Sequence, residues 1–114
     1  MDKKTKISLV VSFRNEEDVI DDFIEETTKV LNEVKNLEYE IIFVNDGSKD
    51  NSLKKLIEHH SRDNRVKIIN MSRRFGPMES IMAGIKMSSG DAVINIDIDL
   101  QDPPSLIPQM MICC

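Results

Sequence analysis

The sequence predicts an α/β fold built on a parallel sheet, and three observations predict it. Short apolar, β-branched runs of strand length recur four times along the 114 residues. Segments with apolar residues at helical spacing separate these runs, and the strongly polar residues gather where each run ends. Parallel strands need crossover connections, and helices usually supply them, so the alternation requires a sheet covered by helices on both faces.

The first run, Ile7 to Phe13, is apolar throughout, as a buried strand is. A helix follows, with Val19, Ile20, Phe23, Ile24, Thr27, Val30, Leu31 and Val34 on one side and Glu16, Glu17 and Asp18 at its positive dipole end. The second strand runs from Glu40 to Asn45 and stops at the turn sequence Asp46-Gly47-Ser48. Asp50 or Asn51 caps a second helix whose stripe is Leu53, Leu56, Ile57 and His60, before a third strand from Val66 to Met71. Pro77 opens a third helix with Met78, Ile81, Met82 and Ile85 on one face as core residues, and Ser88-Ser89-Gly90 ends it. Ala92 to Ile96 is the fourth strand, and Pro103-Pro104 opens a short last helix towards Met111.

The length suits one core, and no linker, repeat or low-complexity stretch divides it. A net charge of -5 argues against a nucleic-acid surface, whose affinity comes from basic side chains displacing phosphate counterions. A small anionic ligand remains open, provided a metal ion, helix N-termini or placed arginines offset the repulsion. No apolar run reaches the roughly 20 residues of a membrane helix, and none near the start suits a signal peptide, so the expected location is cytoplasmic. Cys113 and Cys114 are adjacent and cannot bridge each other without strain. They are read as a plain chain end rather than as a lipidation signal, since nothing else suits one.

In doubly wound sheets ligands bind beyond the carboxyl ends of the strands. Four groups of polar residues lie there: Ser12, Arg14, Asn15 and Glu16; Asp46, Gly47 and Ser48; Ser72, Arg73 and Arg74; Asp97, Asp99 and Gln101. Solvated strand ends explain any one group, but four on one edge suggest a site. Asp97 and Asp99, one residue apart where a buried strand emerges, would repel unless a hard divalent cation neutralised them, and Gln101 can add a carbonyl oxygen. Such a cation can bridge to a nucleotide diphosphate. Asp46 is placed for a nucleoside's hydroxyls or base nitrogen, or for an Asx-turn with Gly47 or Ser48. No glycine-rich phosphate loop follows the first strand, which argues against a dinucleotide fold and a P-loop. Arg73 and Arg74 suit phosphate or sugar equally with open surface. His59 and His60 have no partner at ligand spacing and are expected to be one partly buried and one exposed residue.

The stretches VVSFRNEE, IIFVNDGSKDNS, INMSRRFGPMESIMAGIKMSSGD and AVINIDIDLQDPPSLIPQM, in this order, resemble glycosyltransferase family 2. The likeness extends to its polyprenyl-phosphate branch, which includes dolichol-phosphate mannose synthases and bacterial undecaprenyl-phosphate sugar transferases. The resemblance implies a Rossmann-like GT-A fold, of which residues 1–114 are the N-terminal nucleotide-sugar-binding part, short of the acceptor segment. It implies that Ser12, Arg14, Glu16, Val44 and Asp46 hold the nucleoside. It also implies that Asp97, Asp99 and Gln101 bind Mg2+ or Mn2+ and the donor diphosphate, with Ile98 lining the donor site. Four positions depart from the family's habit. Ser12 stands where proline is usual, Arg14 for tyrosine, Asn45 for a second aspartate and Ile98 for alanine.

The reaction so implied is inverting transfer of a sugar from a nucleotide diphosphate sugar to a polyprenyl phosphate at a membrane surface, with Asp97 and Asp99 stabilising the leaving group. The alternative is an inactive remnant that keeps the donor pocket. A signalling receiver domain is set aside, because it needs an acidic pair after the first strand and a lysine after a fifth.

Overall fold

The computed structural model describes residues 5–34, 36–71 and 75–96. Within them the order is β1 (Thr5–Phe13), α1 (Glu17–Asn32), β2 (Leu37–Asn45), α2 (Ser52–Arg62), β3 (Val66–Asn70), α3 (Pro77–Met87) and β4 (Ala92–Asn95). The strands form one sheet in the order β3-β2-β1-β4, with every pairing parallel. The direction of winding reverses beside β1, since β2 and β3 add to one of its sides and β4 to the other. In such sheets a crevice opens at that reversal, beyond the strands' carboxyl ends.

Alternate residues of a strand face opposite sides, and here both sides are covered. Ile7, Leu9, Val11 and Phe13 of β1 join Tyr39, Ile41 and Phe43 of β2 beneath Ile20, Phe23, Ile24 and Leu31 of α1 and Leu56 of α2. Phe43 meets both Phe13 and Phe23 edge to face, at centroid distances of 6.3 and 6.0 Å. On the other side Val10, Ile42 and Val44 form a smaller cluster with Ile69 and Met71.

Two helix faces differ from the sequence expectation. In α2 the buried residues are Ser52 and Leu56, while Ile57 is 54% exposed and His59, rather than His60, turns partly inward. The inward stripe is therefore rotated by about one residue. In α3 the reversal is larger: Met78, Met82 and Ile85 are exposed, and Ser80 and Gly84 are buried. Gly84 explains it. A β-carbon there would overlap Val10 and lie 3.2 Å from Val44 Cγ2, so α3 rests its backbone on the sheet and large side chains do not fit underneath. The α3 methionines are thus not core filler.

A polar network holds the opposite end of this layer. Glu40, 1% exposed, accepts from Ser8 Oγ at 2.6 Å, Lys67 Nζ at 2.6 Å and the Ser89 N–H at 2.7 Å. Burial alone would raise its pKa, but these donors together lower it to about 2. Gly90 closes the network by donating its N–H to Ser8 Oγ, packed so tightly that any β-carbon would strike the β1 backbone. Among the described residues no helix is long and apolar enough to cross a membrane.

Candidate donor-binding site

The carboxyl ends of β1 and β2 lie side by side, since Ser12 is in register with Val44 and Phe13 with Asn45. Even-numbered residues of these strands face α3, which puts Ser12, Val44 and Asp46 towards that side of the edge. Ser12 is half-buried and Val44 fully buried. Of the predicted nucleoside residues the structure thus gathers Ser12, Val44 and Asp46, with Arg14 and Glu16 following directly on β1. Arg14 is half-buried, and its Nε is buried with no hydrogen-bond partner among the described residues.

The loops after β1 and β2 are knitted together. Asn15 takes a left-handed conformation (φ 56°), donates its N–H to Ser48 Oγ at 2.8 Å and accepts from the Lys49 N–H at 2.7 Å. The Glu16 N–H donates to Ser52 Oγ at 3.0 Å, and the Glu17 N–H to Asp50 Oδ2 at 3.2 Å. Asp50 Oδ1 also accepts from the Ser52 N–H and hydroxyl, at 3.0 and 2.6 Å. Burial works against ionisation of Asp50, and these donors outweigh it and hold its pKa below the usual value. Asn15 is therefore a joint between two loops. Asn51 is the residue before α2 but makes no side-chain cap; Asp50 fills that role.

Asp46 is 4% exposed, and its carboxylate faces the start of α3. Oδ1 accepts from the Phe75 N–H at 2.8 Å and Oδ2 from the Gly76 N–H at 3.1 Å. The turn that is one of the two readings of Asp46 is braced instead by Asn45, whose Oδ1 accepts from the Ser48 N–H, three residues on, at 3.1 Å. The other end of the same amide donates to Asn70 Oδ1 at 3.0 Å. An amide suits this position because it both donates and accepts, as a carboxylate does not.

The chain's own side chains thus already sit at the amino ends of the three described helices: Asp50 and Ser52 at α1, Asp50 at α2 and Asp46 at α3. Part of the donor capacity at these dipole ends, the ordinary anion sites of an α/β fold, is thus taken up by the protein's own side chains. On the far side of β1, the Ile96 N–H still pairs with the Val10 carbonyl at 3.1 Å, directly before Asp97 in sequence. Asp97, Ile98, Asp99, Gln101, Ser72, Arg73, Arg74, the expected last helix and the cysteines lie outside the described residues. His59 Nε2 meets Asp21 Oδ1 at 2.7 Å, and His60 Nδ1 meets the Val66 carbonyl oxygen at 2.6 Å, so both histidines serve packing between elements.

Residues 8–111 match the model of glycosyl transferase family 2, and the chain belongs to that family. It is 46% identical over 111 residues to the uncharacterized glycosyltransferase YkcC of Bacillus subtilis, covering 97% of this chain and 34% of that protein. It is 41% identical over 111 residues to the undecaprenyl-phosphate 4-deoxy-4-formamido-L-arabinose transferase of Proteus mirabilis, covering 96% of this chain and 34% of that protein. Among solved structures it is similar to glucosyl-3-phosphoglycerate synthase from Mycobacterium tuberculosis in complex with Mn2+, UDP and glucosyl-3-phosphoglycerate. That likeness has a TM-score of 0.71 at 27% identity and covers 91% of this chain and 37% of that one. The chain spans about a third of the length of the curated relatives it matches.

Proposed function

We propose that this chain is the donor-binding part of a glycosyltransferase that passes a sugar from a nucleotide diphosphate sugar to a polyprenyl phosphate, with inversion at the anomeric carbon. The observation that carries the proposal is the arrangement of the sheet edge: Ser12, Val44 and Asp46 share one side of it, Arg14 and Glu16 follow β1, and the Ile96 N–H after β4 still pairs with Val10 on the other side of β1, where the winding reverses. The polyprenyl phosphate acceptor rests on the Proteus mirabilis relative, whose name states an undecaprenyl-phosphate transferase.

Ser12, Arg14, Glu16, Val44 and Asp46 hold the nucleoside in this reading. A half-buried Arg14, whose Nε has no partner among the described residues, offers a donor to a ligand's carbonyl or phosphate oxygen. Asp97, Asp99 and Gln101 would hold Mg2+ or Mn2+, with Ile98 beside the donor. The residues suit a hard cation, since their donor atoms are all oxygen. The side chains already at the described helix ends reduce the anion-binding capacity left there, which is consistent with a cation offsetting the diphosphate charge. When bound, that cation supplies charge neutralisation to the departing nucleotide diphosphate. The chain's residues orient the donor for attack by the acceptor's phosphate oxygen, which is already anionic and needs no base.

The alternative reading is a binding remnant that keeps the donor pocket without turnover. Incubation with labelled nucleotide sugars and polyprenyl phosphate separates the two. Label appearing in the lipid fraction supports transfer, whereas donor binding without lipid labelling supports the remnant.

A further inference from the structure

Both carboxylate oxygens of Asp46 are engaged by consecutive backbone N–H groups, those of Phe75 and Gly76, at 2.8 and 3.1 Å. Gly76 is the residue before α3, with φ 101° and ψ 165°, and Pro77 begins the helix. Twin bonds from one carboxylate therefore fix where, and in what direction, α3 starts. Asn45, the preceding residue, grips the β3 side of the same connection. Its carbonyl accepts from the Met71 N–H at 3.0 Å and its side-chain amide donates to Asn70 at 3.0 Å. Two adjacent residues at the end of β2 thus hold both flanks of the β3–α3 connection.

The helix so anchored has little freedom elsewhere. Gly84, two turns on, rests on Val10 and Val44, and Val44 neighbours Ser12 in the sheet. A shift at the start of α3 would be felt by that layer of the proposed donor edge, because packed interiors transmit displacement. A carboxylate held by two N–H groups keeps lone pairs for a further donor, so a ligand contact and the anchoring role do not compete.

We propose that Asp46 is a positioning residue of the donor site: its carboxylate holds the Phe75 and Gly76 N–H groups and thereby seats α3 over Val10 and Val44. This rests on the donor-site reading only for the site it serves. The anchoring itself is testable without ligand.

Amide hydrogen exchange is measured on the full chain, its Asp46→Asn variant and its Asp46→Ala variant, and UDP and GDP are titrated into each with Mn2+ present. Asp46→Ala is expected to speed exchange at Phe75, Gly76 and the first turn of α3 by about tenfold or more, as loss of a charged acceptor allows, with α1 and α2 unchanged. Asp46→Asn, which keeps one acceptor oxygen, falls between. Affinities for UDP and GDP are expected to drop by the same factor, leaving their order intact. Should Asp46→Ala unfold globally, Asp46→Asn provides the same local comparison. Unchanged exchange at Phe75 and Gly76 overturns the proposal, as does a reversal of nucleotide preference without any change in exchange. If the unaltered chain binds neither nucleotide, the donor-site reading fails, and the exchange comparison still decides the anchoring.

Discussion

Gly84 of α3 rests directly on the side chain of Val10 in β1, with no room between them for a β-carbon. The contact sets the separation of α3 from the sheet and, through Val44, the shape of the layer behind the proposed donor edge. Glycine inside a helix costs up to about 1 kcal/mol relative to alanine, so its presence there reflects packing.

Gly84→Ala is accordingly expected to destabilise the chain by about 1–2 kcal/mol, the overpacking cost less the gain in helix propensity. Urea unfolding measures it. Adding Val10→Ala opens space for the new methyl, so the double variant is expected to be more stable than the sum of the single effects predicts, by about 1 kcal/mol.

Glu40 predicts an acid-sensitive component of stability. Its folded pKa of about 2 lies below its ordinary value of 4.5. The ionised carboxylate therefore stabilises the fold fully above pH 4.5, and that contribution is lost as the pH falls through 2. Its size is roughly 3 kcal/mol. Unfolding free energies compared at pH 7 and pH 3 should fall less for Glu40→Gln than for the unaltered chain, because the amide has nothing to titrate.

Two carboxylates near the helix amino ends separate by burial rather than by charge. Asp21 pairs with His59, whose hydrogen bond is the chief cause of its lowered pKa, and with Lys55 at 3.3 Å, but it lies 58% exposed. His59→Ala is expected to cost under ~1 kcal/mol, and less at high salt. Asp50 serves three donors from two segments, so Asp50→Ala should cost about 1–3 kcal/mol with little salt dependence. Chemical denaturation at low and high salt distinguishes the two.

The strands and their order in the chain were legible because buried parallel strands are continuous apolar runs, as in Leu9 to Val11 and Ile41 to Val44. The inward face of α3 was not, because large apolar residues are ordinarily read as core. Here the close approach selects Ser80 and Gly84, one helical turn apart, and leaves Met78, Met82 and Ile85 outside. That small pair was the available signal. Glu40 also carried one, since it shares strand parity with the buried Ile42 and Val44 and should face the same layer. Asn45 and Asp46 both suit turns, and only the local bond from Ser48 to Asn45 and the long-range bonds from Phe75 and Gly76 to Asp46 show which makes the turn and which anchors α3. The clasp of Asp50 and Ser52 on the start of α1 is likewise a tertiary contact without local pattern.

The proposed donor binding depends on a divalent cation held by Asp97 and Asp99 against a nucleotide diphosphate. Titration calorimetry of UDP-linked and GDP-linked sugars into the chain, with Mg2+ or Mn2+ and then with chelator, tests it most directly. The prediction is binding of one of these donors only when metal is present, lost in Asp97→Asn and Asp99→Asn. Equal affinity in chelator, or undiminished binding in both variants, would contradict it.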